Sequence, residues 1–395
     1  MAGPLDGVRI LDMSRILAGP FATQLLGDFG AEVIKVERPG HGDDTRSWGP
    51  PFVKGRSGDL PESASYLSAN RNKRSIAVDM ATPEGADLIR WLAGKSDVVI
   101  ENFKPGGLRQ FGLDHEALCA LYPRLIYCSI SGFGQTGPNA HRPGYDLLAQ
   151  GASGIMAITG APGGEPMKVG VGVADVMCGM YAANAIQAAL RHRDRTGEGQ
   201  HIDIALADAT TSWLVNAGAN YLMDGRQERL GNAHPNIVPY QVFECADGHV
   251  IVAAGNDAQF ARFCQILGHG DWAREARFAT NPARLENRDA LIDLIDGAVK
   301  PWAKADLIAR MEAEGVPGGP INTLAEVFDS AQVKAREMKI AMEFPAAERG
   351  TVDLIGNPVK FSATPVSYRH APPQCGADTD EILKDWLGET RKTGD

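Results

Sequence analysis

The residue best placed to do covalent chemistry is Asp175, which closes Val169-Gly170-Val171-Gly172-Val173-Ala174-Asp175 just ahead of an Ala/Met/Leu-rich helix. Two readings stand side by side. A carboxylate in a first helical turn serves as a cap or a charge favourable to the helix dipole. The same carboxylate, held ionised by the helix N-terminus and flanked by glycines that leave room for a substrate, is a nucleophile. A second set of residues is basic. Arg15, Arg38, Arg46, Arg71, Lys73 and Arg74 are expected at strand ends or in adjoining loops, the edge where open α/β sheets bind ligands. A guanidinium matches phosphate with two parallel hydrogen bonds, and the chain is acidic overall, with a formal net charge of -10. The basic set therefore points to an anionic ligand rather than to a plain solvated surface.

Trp48, Tyr66 and Tyr145 lie in glycine-rich or polar loops, where an aromatic side chain shapes a pocket or closes a core. The nine histidines form no H-x-x-H or H-E-x-x-H pattern and the six cysteines no C-x-x-C pair, so neither a metal site nor a disulfide framework is expected. Cys128 and Cys178 sit in apolar surroundings and read as packed rather than reactive. No G-x-S-x-G elbow occurs. Gly160-Ala161-Pro162-Gly163-Gly164 fits a mobile loop over a site and a surface turn equally well.

The elements that must position these residues begin with a β-α-β unit. Val8–Asp12 reads as a buried strand; Pro20 sits in a helical first turn, Phe21, Leu25 and Phe29 recur at helical spacing, and Gly30 stops the helix before the strand Glu32–Val36. Between strand and helix stands Ser14-Arg15-Ile16-Leu17-Ala18-Gly19, not Gly-x-Gly-x-x-Gly, so a pyrophosphate is denied its close backbone approach. Strands at Ser75–Asp79, Asp97–Glu101, Leu125–Ser129 and Gln200–Leu206 alternate with helices, among them one opened by Thr82-Pro83 and one from Val173 to His192. This is the pattern of a parallel α/β sheet with right-handed crossovers. From about Gly225 the character changes to a hairpin, Tyr240–Cys245 with His249–Ala253, followed by helices around 258–267, 288–300 and 304–314. After Val316-Pro317 come loops, short helices and a late strand near Val359–Phe361.

A chain of 395 residues with 44% hydrophobic and 22% charged residues is expected to form two soluble domains. The net charge argues against a general nucleic-acid partner. Met1–Gly7 shows no secretory pattern and no apolar run approaches the ~20 residues of a membrane span, so a cytoplasmic protein without a membrane partner is expected.

Further stretches carry a specific resemblance. Pro4–Val8, Ala18–Phe21, Gly27–Glu37 and Gly42–Arg46, with Asn70–Ser75, Glu101-Asn102-Phe103, Gly132–Pro138 and Gly144-Tyr145-Asp146, resemble the family III (CaiB/BaiF) CoA-transferases in register over nearly the whole chain. The resemblance implies a Rossmann-like large domain with a parallel sheet plus a smaller α+β domain, in an interlocked ring-like homodimer. The large domain would combine 1–224, holding the CoA site and the nucleophile, with a returning segment 317–395; the small domain would be 225–316. Asp175 takes the place of the family's nucleophile, which decides between its two readings. Its carboxylate would attack an acyl-CoA thioester to give a mixed anhydride, and the released thiolate would convert this to an aspartyl-CoA thioester. The acceptor acid then runs these steps in reverse, with oxyanions held by backbone amides of the glycine-rich segments. Coenzyme A thioesters are substrates in this scheme, and no permanently bound cofactor is implied.

Family CoA contacts fall on Arg15, Ala18, Arg38, Val78, Asn102 and Phe103: arginines for phosphates, Val78 and Phe103 for the adenine and pantetheine surfaces. An arginine often present after the Asn-Phe motif is Gln110 here, beside Arg109. Gly231–Tyr240, Ala254-Gly255-Asn256 and Gly319–Asn322 are similar to the branch that uses succinyl-CoA with glutarate or related C4–C6 dicarboxylates, with Trp48, Tyr66 and Tyr145 shaping the acceptor pocket. Two rivals remain. An acyl-CoA racemase of the same fold looks for a histidine where Tyr145 stands, and a phenol of ordinary pKa near ~10 is a poor second base. A silent CoA-binding protein would keep the same motifs with a non-productive pocket.

Overall fold

The computed structural model describes residues 3–56, 58 and 61–387. Its chain divides into two compact units, one of 1–155, 168–214 and 331–395, the other of 156–167 and 215–330. The second unit thus spans more than the expected 225–316 and takes in the separate piece 156–167.

The first unit is built on a six-stranded sheet in the order β3-β2-β1-β4-β5-β6. The strands are β1 (Arg9–Asp12), β2 (Glu32–Glu37), β3 (Lys73–Ala77), β4 (Val98–Glu101), β5 (Ile126–Ser131) and β6 (His201–Ala205), and every pairing is parallel. Strands covered by helices on both faces can be apolar throughout, and Ile10, Leu11, Val98, Val99, Ile100 and Ile126 are fully buried. The order reverses between β1 and β4. There the connections leave to opposite sides and open a crevice at the carboxyl ends of the strands.

Two helices flank that crevice. The first, Ala18–Asp28, accepts Pro20 in its first turn, where an amide has no helical partner to lose. The second, Val173–Thr196, buries Ala174, Cys178, Ala182, Ile186 and Leu190 and ends on Gly197 in the left-handed region (φ +83°). The helices cross at Gly179, where a Cβ would stand 2.6 Å from the Ala18 carbonyl oxygen, so only glycine permits the approach. Contrary to the sequence expectation, Val173–Thr196 is long and apolar enough to cross a membrane by length and composition; 56% of that stretch is buried inside the protein, which is the behaviour of a core helix.

The C-terminal segment returns to this unit. Helix Thr379–Leu387 places Ile382 and Trp386 in the core beside β1–β4, with the Trp386 indole donating to Glu32 (2.8 Å). Val359–Phe361 is not a strand. Pro358 interrupts the backbone donors there, and the late strands lie earlier, as the antiparallel hairpin β10 (Lys339–Glu343) with β11 (Thr351–Ile355).

The second unit packs an antiparallel sheet, β7 (Tyr240–Cys245), β8 (Gly248–Ala253) and β9 (Gly318–Pro320), against helices that bury Phe260, Phe263, Leu291, Ile295 and Leu307. Its core includes Arg284, fully buried, which donates to the carbonyls of Val238 and Phe278 and to Asp257. Arg229 fastens the 160–164 loop by donating to the Ala157 and Gly164 carbonyls.

Candidate active site

The turn after β1 stands where a dinucleotide fold keeps its glycines. Three of its amides are taken by side chains. Ser14 N donates to Asp12 (2.9 Å), Arg15 N to Asn102 Oδ1 (2.8 Å) and Ile16 N to both oxygens of Asp43 (3.2 Å each). Asn102 closes the clamp by donating from Nδ2 to the Arg15 carbonyl (2.7 Å). Amides committed in this way cannot cradle a phosphate, so at residues 14–16 the turn offers side chains to a ligand.

Below the turn lies a buried electrostatic layer. Asp12 accepts from Thr23 (2.6 Å) and from Lys73 Nζ (3.1 Å), and Lys35 Nζ bridges Asp43 (2.8 Å) and the Ser14 carbonyl (2.9 Å). Burial opposes the charge on Asp43, yet Lys35 and the hydrogen bonds from Lys35 and Thr45 bring it down to about 2. Burial also depresses Lys73 to about 8 against the pull of Asp12.

At the crevice a cavity of about 490 Å³ is walled by four segments. Arg15–Ala18 come from the turn, Asn102–Pro105 with Gln110 from the end of β4, Ile130–Gly132 from the end of β5, and Arg142–Asp146 from the following loop. Asp175 completes it. The loop is pinned by a backbone crossing: a Cβ on Gly144 would lie 2.3 Å from the Gly132 Cα, and one on Gly132 2.4 Å from the Gly144 Cα. Gly144→Ala is therefore expected to displace the wall and lower kcat/KM by on the order of tenfold or more, read by steady-state kinetics on correctly folded protein.

Asp175 projects from the first turn of its helix, and the structure corrects the expectation that the helix N-terminus holds it ionised. Asp146 takes that place: its Oδ1 accepts from Ala174 N (2.8 Å) and Asp175 N (3.3 Å), while Oδ2 accepts from Gln150 Nε2 (2.7 Å). Burial, joined by the Asp146 carboxylate, pushes the Asp175 carboxyl up from 3.8 to about 7. Asp146→Asn keeps an acceptor for the helix amides but removes the neighbouring charge. The acid limb of the pH–rate profile is expected to move to lower pH, only part of the way because burial is the larger cause; a limb that stays in place or rises would contradict this coupling.

The structure sorts the expected site residues into two groups. Arg15, Ala18, Asn102, Phe103, Tyr145 and Asp175 line the one cavity. Arg38, Val78, Trp48 and Tyr66 do not. Arg38 is exposed beyond β2, Val78 is packed in the core, and Trp48 is half exposed away from the cavity. Tyr66 is fully buried, its hydroxyl donating to the Pro373 carbonyl (3.0 Å) beneath the Arg46 guanidinium, and so cannot shape an acceptor pocket. Most of the basic set is likewise internal. Arg46 pairs with Glu37 and Glu62, Arg71 with Asp28, Lys73 with Asp12, and Arg74 with Glu32 and Asp385. Of that set only Arg15 reaches the cavity, over the Phe103 ring and paired with Asp44 (2.8 Å).

Sequence reasoning missed Lys104, Arg142 and Asp146 as cavity residues. Asp146 was signalled by its position directly after Gly144-Tyr145; Arg142, over the Phe133 ring, carried no local mark. Gln110 lines the cavity, whereas Arg109 turns to Asp114 and Glu116 and leaves Lys104 as the cation of that wall. No cluster of three or more His, Cys, Asp or Glu side chains suited to a metal ion occurs among the described residues. Burial raises the thiols of Cys128 and Cys178 out of the nucleophilic range.

A doubly wound sheet with a cavity at its switch point, lined by a carboxyl group, defines the ligand crevice of an open α/β protein. Comparison narrows it. The family described as "CoA-transferase family III" matches residues 5–379. A succinate–glutarate CoA-transferase of Agrobacterium fabrum is 51% identical over 96% of this chain and 95% of its own. A succinyl-CoA:glutarate CoA-transferase of Homo sapiens is 44% identical over 97% and 86%. The crystal structure of a CaiB/BaiF family protein from Brucella suis shares 48% identity at a TM-score of 0.86, covering 98% of this chain and all (100%) of that one. The chain belongs to CoA-transferase family III. It is an enzyme of the CoA-transferase type, and its substrates are CoA thioesters.

Proposed function

We propose that this enzyme moves CoA from succinyl-CoA to glutarate through covalent intermediates on Asp175. The observation that carries the chemistry is that Asp175 lines a cavity whose other walls come from the turn after β1, the ends of β4 and β5, and the loop 142–146. The acid pair is supported by relatives of 44–51% identity named for succinate and glutarate. In the first step the Asp175 carboxylate attacks the succinyl thioester carbonyl, the C–S bond breaks, and CoA leaves as the thiolate. The thiolate then attacks the aspartyl carbonyl of the mixed anhydride, expelling succinate and leaving Asp175 as a CoA thioester. Glutarate attacks this thioester and frees the thiolate again; the thiolate attacks the glutaryl carbonyl and Asp175 is regenerated. One thioester is exchanged for another, so the balance closes without ATP.

Arg15, Lys104 and Arg142 supply positive charge for the phosphates of CoA, Ala18 and Phe103 apolar contact, and Asn102 holds Arg15 in place. Tyr145, beside Asp146, faces the acid end. We further propose the interlocked homodimer as the working assembly, supported by family membership and by exposed apolar side chains such as Leu222 (85%) and Met223 (86%). A reducing cytoplasm suits the unpaired cysteines. A panel of acyl-CoA donors and free acids, read by mass spectrometry, tests the assignment. Glutaryl-CoA and succinate formed in equal amounts is the expected result. Transfer confined to monocarboxylates would overturn the acid pair, and α-proton exchange into deuterated water without transfer would favour the racemase.

A further inference from the structure

The turn between β1 and its helix contains a conformation that its own residue type does not favour. Ile16 has φ +72°, in the left-handed region where a β-branched residue is a genuine outlier. It lines the cavity between Arg15 and Ala18. Such a backbone persists only where its surroundings over-determine it. Here the surroundings are specific. Both oxygens of Asp43 accept from Ile16 N, Lys35 Nζ bridges Asp43 and the Ser14 carbonyl, and the Lys35 and Asp43 side chains are 1% and 0% exposed. Asp43 is fixed in turn by Thr45, which donates to it from N (2.9 Å) and Oγ1 (2.7 Å), and by its own amide donating to Glu37 (2.7 Å).

We propose that Asp43, seated on Lys35, is a positioning residue for CoA binding: it holds Ile16 in the left-handed conformation that aims Arg15 and Ala18 into the cavity. This rests on the cavity being the CoA site. Without the carboxylate the turn relaxes, the binding-competent shape becomes a minor population, and the apparent affinity for acyl-CoA falls by that fraction.

The test separates positioning from general support. Asp43→Asn is expected to raise KM for succinyl-CoA about tenfold, the effect of releasing one strained residue, with kcat and the KM for the acid acceptor within about twofold. Glycine adopts positive φ freely, so at position 16 it removes the need for the clamp. The double variant I16G/D43N is therefore expected to bind succinyl-CoA within about twofold of Ile16→Gly alone. A residue that merely supports the fold would give the same loss in both backgrounds, and that result would overturn the proposal, as would an unchanged KM in Asp43→Asn. If Asp43→Asn does not fold, the charge-neutral pair K35M/D43L, with and without Ile16→Gly, carries the same comparison. The reading of the cavity fails separately, if wild-type enzyme shows no saturable use of acyl-CoA while these variants are folded.

Discussion

Asp175→Asn is expected to abolish CoA transfer, by on the order of 10⁴-fold or more, while acyl-CoA still binds. Asparagine is close to aspartate in size, but its amide cannot form the anhydride. Incubating wild-type enzyme with succinyl-CoA and then borohydride or hydroxylamine should mark Asp175 in a peptide map, and the variant should stay unmarked. Full transferase activity in the variant would remove the covalent mechanism. The raised carboxyl adds two pH signatures. In the proposed mechanism Asp175 attacks as the carboxylate, and its carboxyl sits at about 7, so wild-type kcat/KM should fall as pH drops below neutrality. The stability effect has the opposite sign. An acid whose folded pKa lies above its unfolded value binds its proton more tightly in the native state, so stability falls as pH rises from near 3.8 through about 7. Asp175→Asn should therefore be more stable than wild type at pH 8, by about 2–4 kcal/mol, with the gap closing towards pH 4. Urea melts at the two pH values read this directly.

The second large effect is at Lys73. Its ammonium and the Asp12 carboxylate are both fully buried, 3.1 Å apart, and Lys73 also donates to the Pro20 carbonyl and Asn70. Lys73→Met leaves Asp12 without its nearest cation beneath the turn after β1, and a loss of about 3–5 kcal/mol is expected in denaturant unfolding. Asp12→Asn in the same chain should restore part of that loss, because the stranded charge is gone. A double variant no more stable than Lys73→Met would place the cost in lost packing and hydrogen bonds instead of in an unpaired charge.

The large features of the fold were legible because they depend on local pattern. Apolar runs at Val8–Asp12, Glu32–Val36 and Asp97–Glu101 can be little other than covered parallel strands, and Thr82-Pro83 announces a helix start by residue type alone. Long-range partnership carries no such mark. Tyr66 looked like a loop aromatic, but Pro373 lies over its hydroxyl from the far end of the chain. Arg71 and Lys73 looked like ligand arginine and lysine in a basic run; Lys73 instead opens β3 at its amino end, where Asp12 and Asp28 take up the charges. The missing glycines of the first turn were visible at once. That Asn102 and Asp43 occupy its amides was not, because these acceptors lie 87 and 27 residues away. Asp175 drew notice by position, and its environment was misjudged for one reason: Asp146 fills the cap of its helix.

The crossing at Gly179 has a consequence for how acid specificity can change. Gly179 lies one helical turn beyond Asp175 and abuts the Ala18 carbonyl, so Asp175 and the turn after β1, the proposed nucleophile and the proposed CoA contact, are set at a fixed gauge. On the proposed reading, the pantetheine arm is measured against that gauge, whichever acid it carries. Drift at Tyr145 or elsewhere on the exposed wall can retune the acid while the gauge stays untouched. A scaffold working by the proposed mechanism would let new acid pairs arise by small edits, with the thioester delivered to the same carboxylate every time.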